Sequence, residues 1–253
     1  MSTSFNLLKA WGIPIRIHVS LLALLGIVAA LAWTYGGAEM VLFNVALLII
    51  VFTSIALHEL AHSLVAIRKG CEVREITLMF VGGAAQMDEL PRKPADEILI
   101  ALAGPLFSLV LAAACWFAGA RLDWPLLPSL WGGRELNLVQ LTGQLNLTLA
   151  LFNLLPAFPM DGGRVMRALI SRQIGFLPAT FIASRLGRVA SIIMGVFGAH
   201  NHIWGLVIIA VFLFRAAGRE FDYVLRQEMR DSLKEAQDWA RGGNSPKNNT
   251  PGA

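Results

Sequence analysis

The chain has 253 residues, of which 56% are hydrophobic and only 15% are charged, and its mean hydropathy is +0.61. Because soluble domains average about 25% charged residues, this composition argues against an ordinary soluble protein and indicates a membrane protein. The net charge of +4 and the pI near 9.4 would also suit a nucleic-acid-binding protein. However, lysine and arginine concentrate in particular loops, as expected of basic cytoplasmic segments.

Several apolar segments reach the length of about 20 residues needed to cross a bilayer as helices, and we assign six spans along the chain. Their approximate bounds are 18–33, 40–67, 97–119, 136–155, 186–198 and 203–217, and the fifth could begin near Pro178. We therefore predict an all-α polytopic membrane protein with about six transmembrane helices. A cleaved signal peptide is the alternative for the first segment, but no small-residue cleavage site follows it. The two cysteines are expected at different depths, so no disulfide is predicted.

The second apolar segment contains His58-Glu59-Leu60-Ala61-His62, an H-E-x-x-H motif. At about 100° per residue, the two histidines lie about 40° apart on one face of a helix. Such a pair can bind a tetrahedral zinc ion, and Glu59 can accept a proton from a zinc-bound water. A chance pentapeptide is the alternative interpretation. However, a strongly polar side chain at bilayer depth costs roughly 2.5–3.5 kcal/mol, so this cluster requires a partner such as a metal ion.

The segment 73–87 differs from the apolar segments around it. It has β-branched and aromatic residues around Gly82-Gly83, which predicts a small β-hairpin or re-entrant segment after the second span. An exposed strand edge beside a metal site could bind an extended peptide by strand addition. An ordinary cytosolic turn is the alternative. Polar residues over 88–97 then connect to the third span.

Helix-breaking residues interrupt the third span and end the fourth. Gly104-Pro105 in the third predicts a kink and the close approach of a neighbouring helix. The fourth is rich in Gln, Asn and Thr and runs into segment 153–164, where two prolines and two glycines break the helix. Asp161 in this break is a candidate third zinc ligand, because catalytic zinc has three protein ligands and one open position. Taken alone, this aspartate would be a turn or N-cap residue.

The C-terminal part becomes charged from Arg219. Apolar residues at helical spacing predict an amphipathic cytosolic helix over 219–240, and the segment from Gly242 has the composition of a disordered tail. We therefore divide the chain into a membrane domain, 1–218, and a cytosolic part, 219–253.

The distribution of lysine and arginine predicts the orientation. With six spans, both termini and the loops 68–97 and 161–185 lie on one side, which holds most of the basic residues. The opposite loops contain only Arg121 and Arg134. Both termini are therefore predicted to be cytoplasmic. The histidine pair and Asp161 then lie near the cytoplasmic ends of their helices, which favours a shared site.

These motifs, in this order, resemble those of the site-2 proteases, a family of intramembrane zinc metalloproteases. The similarity covers about residues 10–217. The matching residues are His58-Glu59-Leu60-Ala61-His62, Gly104-Pro105, Asn153-x-x-Pro156-x-x-Pro159-x-Asp161-Gly162, Gly12-Ile13-Pro14-Ile15 followed by His18, and Gly82-Gly83. The resemblance implies one zinc ion per chain, with His58, His62 and Asp161 as its ligands. It also implies that Glu59 is the general base and that Asn153 helps to hold the substrate or to stabilise charge near the metal.

The implied activity is hydrolysis of peptide bonds in or near the transmembrane segments of membrane-anchored proteins, with a zinc-bound water activated by Glu59 as the nucleophile. The expected partners are that substrate and the lipid bilayer, with no nucleic acid, and the expected location is a prokaryotic cell membrane. The loops and tail are too short for the PDZ or CBS domains of some relatives, so a compact type is expected. The family often has Asn where this chain has Ser108, so no role is assigned to Ser108.

Two other classes of function would also place His, Glu and Asp in spans. A metal-ion transporter should have polar ligands on both sides of the membrane midplane, whereas those found here cluster on one side. A non-catalytic scaffold related to a protease should have lost Glu59 or a metal ligand, and the sequence retains all of them.

Overall fold

The computed structural model describes residues 4–80, 82–87, 93–120 and 138–241. Within these ranges the chain forms one four-stranded sheet and six helices. The strands are β1 (Ser4–Ala10), β2 (Ile13–His18), β3 (Val73–Met79) and β4 (Gly82–Met87). The helices are α1 (Val19–Arg68), α2 (Pro94–Phe117), α3 (Leu138–Asn153), α4 (Asp161–Ile174), α5 (Phe176–His200) and α6 (Trp204–Ala240). The predicted tail from Gly242 lies outside the described residues.

Long apolar helices dominate the structure, as the composition predicts. Three of the described helices, α1, α2 and α5, are long and apolar enough to cross a membrane. Large apolar side chains remain exposed on each of them, with Ile49 58%, Val110 68% and Ile193 65% accessible in the isolated chain. Exposed apolar surface of this extent is typical of helices that face lipid. The class of a mostly helical membrane protein with a small sheet is therefore confirmed.

Helix α1 turns back on itself. Its 50 residues form two helical halves, because Gly36 and Gly37 between them have non-helical backbone angles, and the φ of +64° at Gly37 favours glycine. A straight helix of this length would extend about 75 Å. Yet β2, which leads into α1, pairs directly with β3, which follows it. The chain therefore reverses at the glycine pair, and the two halves of α1 correspond to the predicted spans 18–33 and 40–67.

The sheet has the order β1-β2-β3-β4 and consists of two hairpins joined in parallel. The pairs β1–β2 and β3–β4 are antiparallel, whereas β2 and β3 are parallel. The hairpin β3–β4 confirms the one predicted after the second span. The hairpin β1–β2 is not among the predicted elements, although alternating Ile13, Ile15 and Ile17 are the period-2 signal of a strand.

One face of the sheet packs on the helix that carries the H-E-x-x-H motif. The buried cluster at this contact is Ile13, Ile15, Leu21, Leu60, Ile76 and Leu78. On β2 and β3, Arg16 donates to the Glu75 carboxylate at 2.8 Å. This hydrogen bond holds the pKa of the partly exposed Glu75 below its usual range. The apolar cluster fixes the hairpin β3–β4 against α1.

The remaining helices follow the predicted spans with three differences. Helix α4 occupies part of the predicted loop 161–185, α5 begins at Phe176, and α6 is one continuous helix across the predicted boundary at Arg219. The apolar and polar residues of α4 lie on opposite faces of the helix. Its charged residues lower the mean hydropathy of the segment, so a hydropathy profile does not reveal this helix.

A buried arginine joins α2, α4 and α6. Arg167 is fully buried, its Nε donates to Glu97 at 2.7 Å, and its Nη1 donates to Glu220 at 3.2 Å. Its guanidinium also lies over the rings of Phe158, at 4.9 Å, and Phe176, at 4.7 Å. Charge pairing and cation–π contacts therefore hold the first turn of α2 and the second turn of α4 against the middle of α6.

Replacing Arg167 should destabilise this junction strongly. In Arg167→Met the Glu97 carboxylate remains buried without its cation, which costs about 3–5 kcal/mol. Unfolding of the purified protein in detergent micelles measures the loss. The control is Arg172→Met, because Arg172 is exposed on the same helix and should change stability by less than about 0.5 kcal/mol. Equal stability of the two variants would contradict the assigned role of Arg167.

Candidate metal centre

A cavity of about 380 Å³ lies between α1, the hairpin β3–β4, α3, α4 and α6. Its charged, imidazole and amide lining residues are His58, Glu59, His62, Asn153, Asp161 and Arg164. Much of the remaining wall is apolar and includes Phe152, Phe212 and Leu213. A concave apolar site with a few converging polar groups is the usual form of a ligand-binding or active site.

Two histidines and one aspartate converge at the bottom of this cavity. The Nε2 atoms of His58 and His62 each lie 3.1 Å from the same Oδ2 atom of Asp161. One ligand atom from each of the three residues lies within 4.8 Å of the others, and all three side chains are buried. Asp161 follows His58 by 103 positions in the chain. The structure thus brings the predicted third ligand to the predicted pair.

Two glycines allow Asp161 to reach the histidines. A Cβ atom on Gly162 would lie 2.3 Å from the carbonyl oxygen of Leu154, and one on Gly163 would lie 2.6 Å from the carbonyl carbon of Ala157. The first turn of α4 therefore packs directly on the backbone of the segment that leaves α3. Any larger residue at these two positions would push Asp161 away from the histidines.

Helix α2 orients both histidines from behind. The Nδ1 atom of His62 lies 2.7 Å from the carbonyl oxygen of Ile100, and Nδ1 of His58 lies 3.0 Å from Oγ of Ser108. Because a carbonyl can only accept, His62 must donate from Nδ1, and in a neutral ring this leaves the Nε2 lone pair for a metal ion. Such outer contacts of histidine ligands fix ring orientation in metal sites.

The close approach of α2 depends on Gly104. A Cβ atom at this position would lie 2.3 Å from Nε2 of His62 and 2.6 Å from Nε2 of His58. The helix continues through Pro105. The close helix contact expected from the Gly104-Pro105 pair is therefore observed, and it occurs at the metal-binding atoms themselves.

Glu59 and Asn153 line the same cavity without joining the three-residue cluster. Glu59 is partly buried, and a Cβ atom on Gly83 of β4 would lie 2.9 Å from its Cγ atom, so β4 passes directly beside it. The Nδ2 atom of Asn153 donates to the carbonyl oxygen of Leu149 at 2.9 Å within α3. The cavity therefore collects every site residue expected from the sequence.

Two further residues lie at the site although no sequence motif marks them. Ser108 lies one helical turn after Gly104, and this spacing alone would have placed it on the face that meets the histidines. Arg164 lies one turn after Asp161 and therefore faces the same cavity.

The donor set fits a zinc ion. Two imidazole nitrogens and one carboxylate oxygen are a common ligand set for catalytic zinc, which keeps a fourth position open. The Nδ1 atom of each ring has a hydrogen-bond partner on α2, either Ser108 or the carbonyl of Ile100. The ligand atoms face a cavity with room for water or a substrate. The same buried polar atoms would be costly without a partner.

Comparison with solved structures shows a similar fold. The chain matches a site-2 protease from Methanocaldococcus jannaschii with a TM-score of 0.66 and 33% identity. The match covers 86% of this chain and 95% of that one.

Curated relatives and a family model give the same assignment. A zinc metalloprotease of Methanocaldococcus jannaschii is 35% identical over 225 residues, which are 87% of this chain and 61% of that protein. A protein of Synechocystis sp. is 32% identical over 235 residues, which are 86% of this chain and 60% of that protein. The chain thus spans 60–61% of the length of these relatives. The model of peptidase family M50 matches residues 46–124 and 131–196. The chain belongs to peptidase family M50, and its resemblance to the site-2 proteases is confirmed.

Proposed function

We propose that this protein is a zinc-dependent intramembrane endopeptidase that hydrolyses peptide bonds in or near the transmembrane segments of membrane-anchored proteins. The observation that carries the proposal is the approach of Asp161 Oδ2 to within 3.1 Å of Nε2 of both His58 and His62. The two histidines lie on α1, which is long and apolar enough to span a membrane. These three residues would hold one zinc ion per chain. The family match favours a protease over a metal-ion transporter, and the presence of Glu59 beside the ligands argues against a non-catalytic scaffold.

The mechanism assigns tasks to the three metal ligands, to Glu59 and to the two groups that contact the histidines from α2. A zinc ion held by the three ligands would polarise the scissile carbonyl and lower the pKa of a coordinated water. Glu59 accepts a proton from the attacking water and then donates it to the leaving amine. Ser108 and the carbonyl of Ile100 keep the two imidazole rings oriented throughout.

The edge of the sheet offers a place to hold the substrate. Strand β4 is at the end of the strand order, and its residues Gly82, Gly83 and Ala85 line the cavity. An extended peptide added alongside β4 would pass beside Glu59. Because helical carbonyls are engaged in hydrogen bonds, a transmembrane substrate must first unwind locally. The interior strand β3 pairs with β2 and β4, so β4 is the strand of the segment 73–87 that can pair with a substrate.

We propose a six-span topology with both termini in the cytoplasm. The spans are the two halves of α1, then α2, α3, α5 and the first half of α6, and the cytosolic part begins near Arg219 within α6. Lys69, after α1, pairs with Asp96 of α2 at 2.8 Å, which supports a position of these two helix ends on one side. The bilayer and the membrane-anchored substrate are then the partners of the protein.

Replacing Glu59 should lower activity alone, whereas replacing a zinc ligand should lower both activity and zinc binding. Glu59→Gln keeps the size of the side chain but not its basicity, so proteolysis should fall by about 10²–10⁴-fold while zinc stays near one per chain. His58→Ala, His62→Ala and Asp161→Ala should lower both activity and zinc affinity, because each removes a ligand. Metal analysis of purified protein at controlled free zinc, with a cleavage assay, measures both quantities.

The matched control for the histidine variants is His200→Ala, which removes an exposed imidazole at the end of α5 and should change neither zinc content nor activity. Asp161→Ala is the most demanding variant. If it bound zinc as tightly as the parent and still cut, the three-ligand site would be wrong, and Asn153 would be the next candidate ligand.

Loss of the hydroxyl behind His58 should weaken zinc binding. Ser108→Ala leaves Nδ1 of His58 without its partner at 3.0 Å, and outer contacts of this kind contribute about 10–100-fold in metal affinity. Competition with a chelator of known affinity measures the change. Ser191→Ala is the control, since Ser191 is also buried in a helix but donates to the carbonyl of Gly187. Equal zinc affinity of both variants would return Ser108 to a packing role.

The proposed orientation can be tested with reporter fusions. Reporters after Gly70, Gln173 and Arg241 should give a cytoplasmic signal, whereas those after Ala120 and His202 should give an external one, since basic loops remain inside. An external signal at Gln173 would place Asp161 and the end of α1 on opposite sides and would contradict the six-span topology.

A further inference from the structure

Arg164 is an arginine of the catalytic cavity that the mechanism above leaves without a task. It is partly buried, lies in the first turn of α4, and follows Asp161 by one helical turn. Across the described parts of the chain, its guanidinium forms no hydrogen bond or ion pair within contact distance. Arg167, on the same helix, forms ion pairs with Glu97 and Glu220.

The position of Arg164 is not explained by the preferences of a helix. The first turn lies at the positive end of the helix dipole, where a cation is disfavoured by about 0.3–1 kcal/mol. The carboxylates of Glu220, Asp161 and Glu59 attract its guanidinium and offset this cost. A positive charge is therefore held in the cavity by nearby acidic groups, two of which, Asp161 and Glu59, take part in the proposed chemistry.

The cavity has few other donors for a substrate carbonyl. Nδ1 of His62 is engaged with Ile100, and Nδ2 of Asn153 already donates to the carbonyl of Leu149. The guanidinium of Arg164 offers five N–H groups in a planar fork. It is thus the polar side chain of the described cavity with the largest unused donor capacity.

We propose that Arg164 is a catalytic residue that donates a hydrogen bond to the carbonyl oxygen of the scissile peptide bond. When water adds to the carbonyl carbon, its proton moves to Glu59 and an electron pair of the C=O bond moves to the oxygen, whose negative charge Arg164 stabilises. The C–N bond then breaks, the oxygen returns its electron pair to form the new carboxyl group, and the amine takes the proton from Glu59. The guanidinium remains protonated throughout, and the inference rests on the proposed peptidase function.

The test compares Arg164→Gln with Arg172→Gln. Both variants remove one positive charge from α4, but Arg172 is exposed outside the cavity. With a fluorogenic transmembrane peptide in detergent micelles, Arg164→Gln should lower kcat by about 10²–10³-fold, as loss of an oxyanion donor does. Its KM, zinc content and thermal unfolding should stay close to those of the parent, and Arg172→Gln should match the parent in all four.

Equilibrium binding gives a second readout that a merely structural role would not produce. A phosphinic analogue of the peptide carries a tetrahedral anion at the scissile position, whereas the peptide itself does not. Arg164→Gln should lose affinity for the analogue by a factor similar to its loss in kcat. In a Glu59→Gln background, which does not cut, it should bind the peptide as tightly as the arginine-containing protein does. Added methylguanidinium should partly restore cleavage by Arg164→Ala.

The outcomes separate this inference from the proposed function. A parent protein that neither cuts the peptide nor binds zinc would overturn the function itself. A parent that cuts, together with an Arg164→Gln variant that cuts as fast or differs only in KM, would overturn the role of Arg164 alone. Should Arg164→Gln not fold, Arg164→Met decides: it keeps an apolar stem but has no N–H donor or charge, so an unchanged kcat and unchanged affinity for the analogue would contradict the proposal.

Discussion

The structure depends on one shared atom, the Oδ2 oxygen of Asp161, which lies 3.1 Å from two histidines about 100 residues earlier in the chain. Polar side chains at membrane depth are tolerated only when they find partners. The H-E-x-x-H motif therefore requires a carboxylate delivered from elsewhere in the chain. The break after α3, the two glycines at the start of α4 and the buried Arg167 junction all serve to bring that carboxylate to α1.

Helix α2 contributes no ligand, yet the site is built against it. Gly104 removes every side-chain atom that would strike the imidazoles, while Ser108 and the carbonyl of Ile100 meet their outer nitrogens. A metal site on a single helix would leave its histidines free to change rotamer. Here the two rings are held between α2 on one side and Asp161 on the other, which is the preorganisation that a catalytic metal requires.

Much of the site could be predicted from the sequence because its signals are local or are set by depth. The two-histidine motif follows from helical spacing, and Asp161 was predicted from a helix break at a matching level together with the resemblance to the site-2 proteases. The hairpin β1–β2 was harder to predict, since the alternation of Ile13, Ile15 and Ile17 is short and β2 is stabilised by pairing with β3, which is distant in the chain. Helix α4 was hidden because its charged residues resemble a loop. Arg164 could be recognised only when the cavity was known.

The long sequence separation of the ligands also sets an order of assembly. Translation proceeds at about 5–20 residues per second, so the 103 positions between His58 and Asp161 correspond to roughly 5–20 s of synthesis. During this interval the second half of α1 already carries its imidazoles and Glu59, but the carboxylate has not yet emerged from the ribosome. In the six-span topology proposed above, this part of α1 lies near the aqueous edge of the bilayer, where water can hydrate the imidazoles and Glu59 until α4 has been made. In the proposed topology, a shallow centre would therefore serve biogenesis as well as water supply.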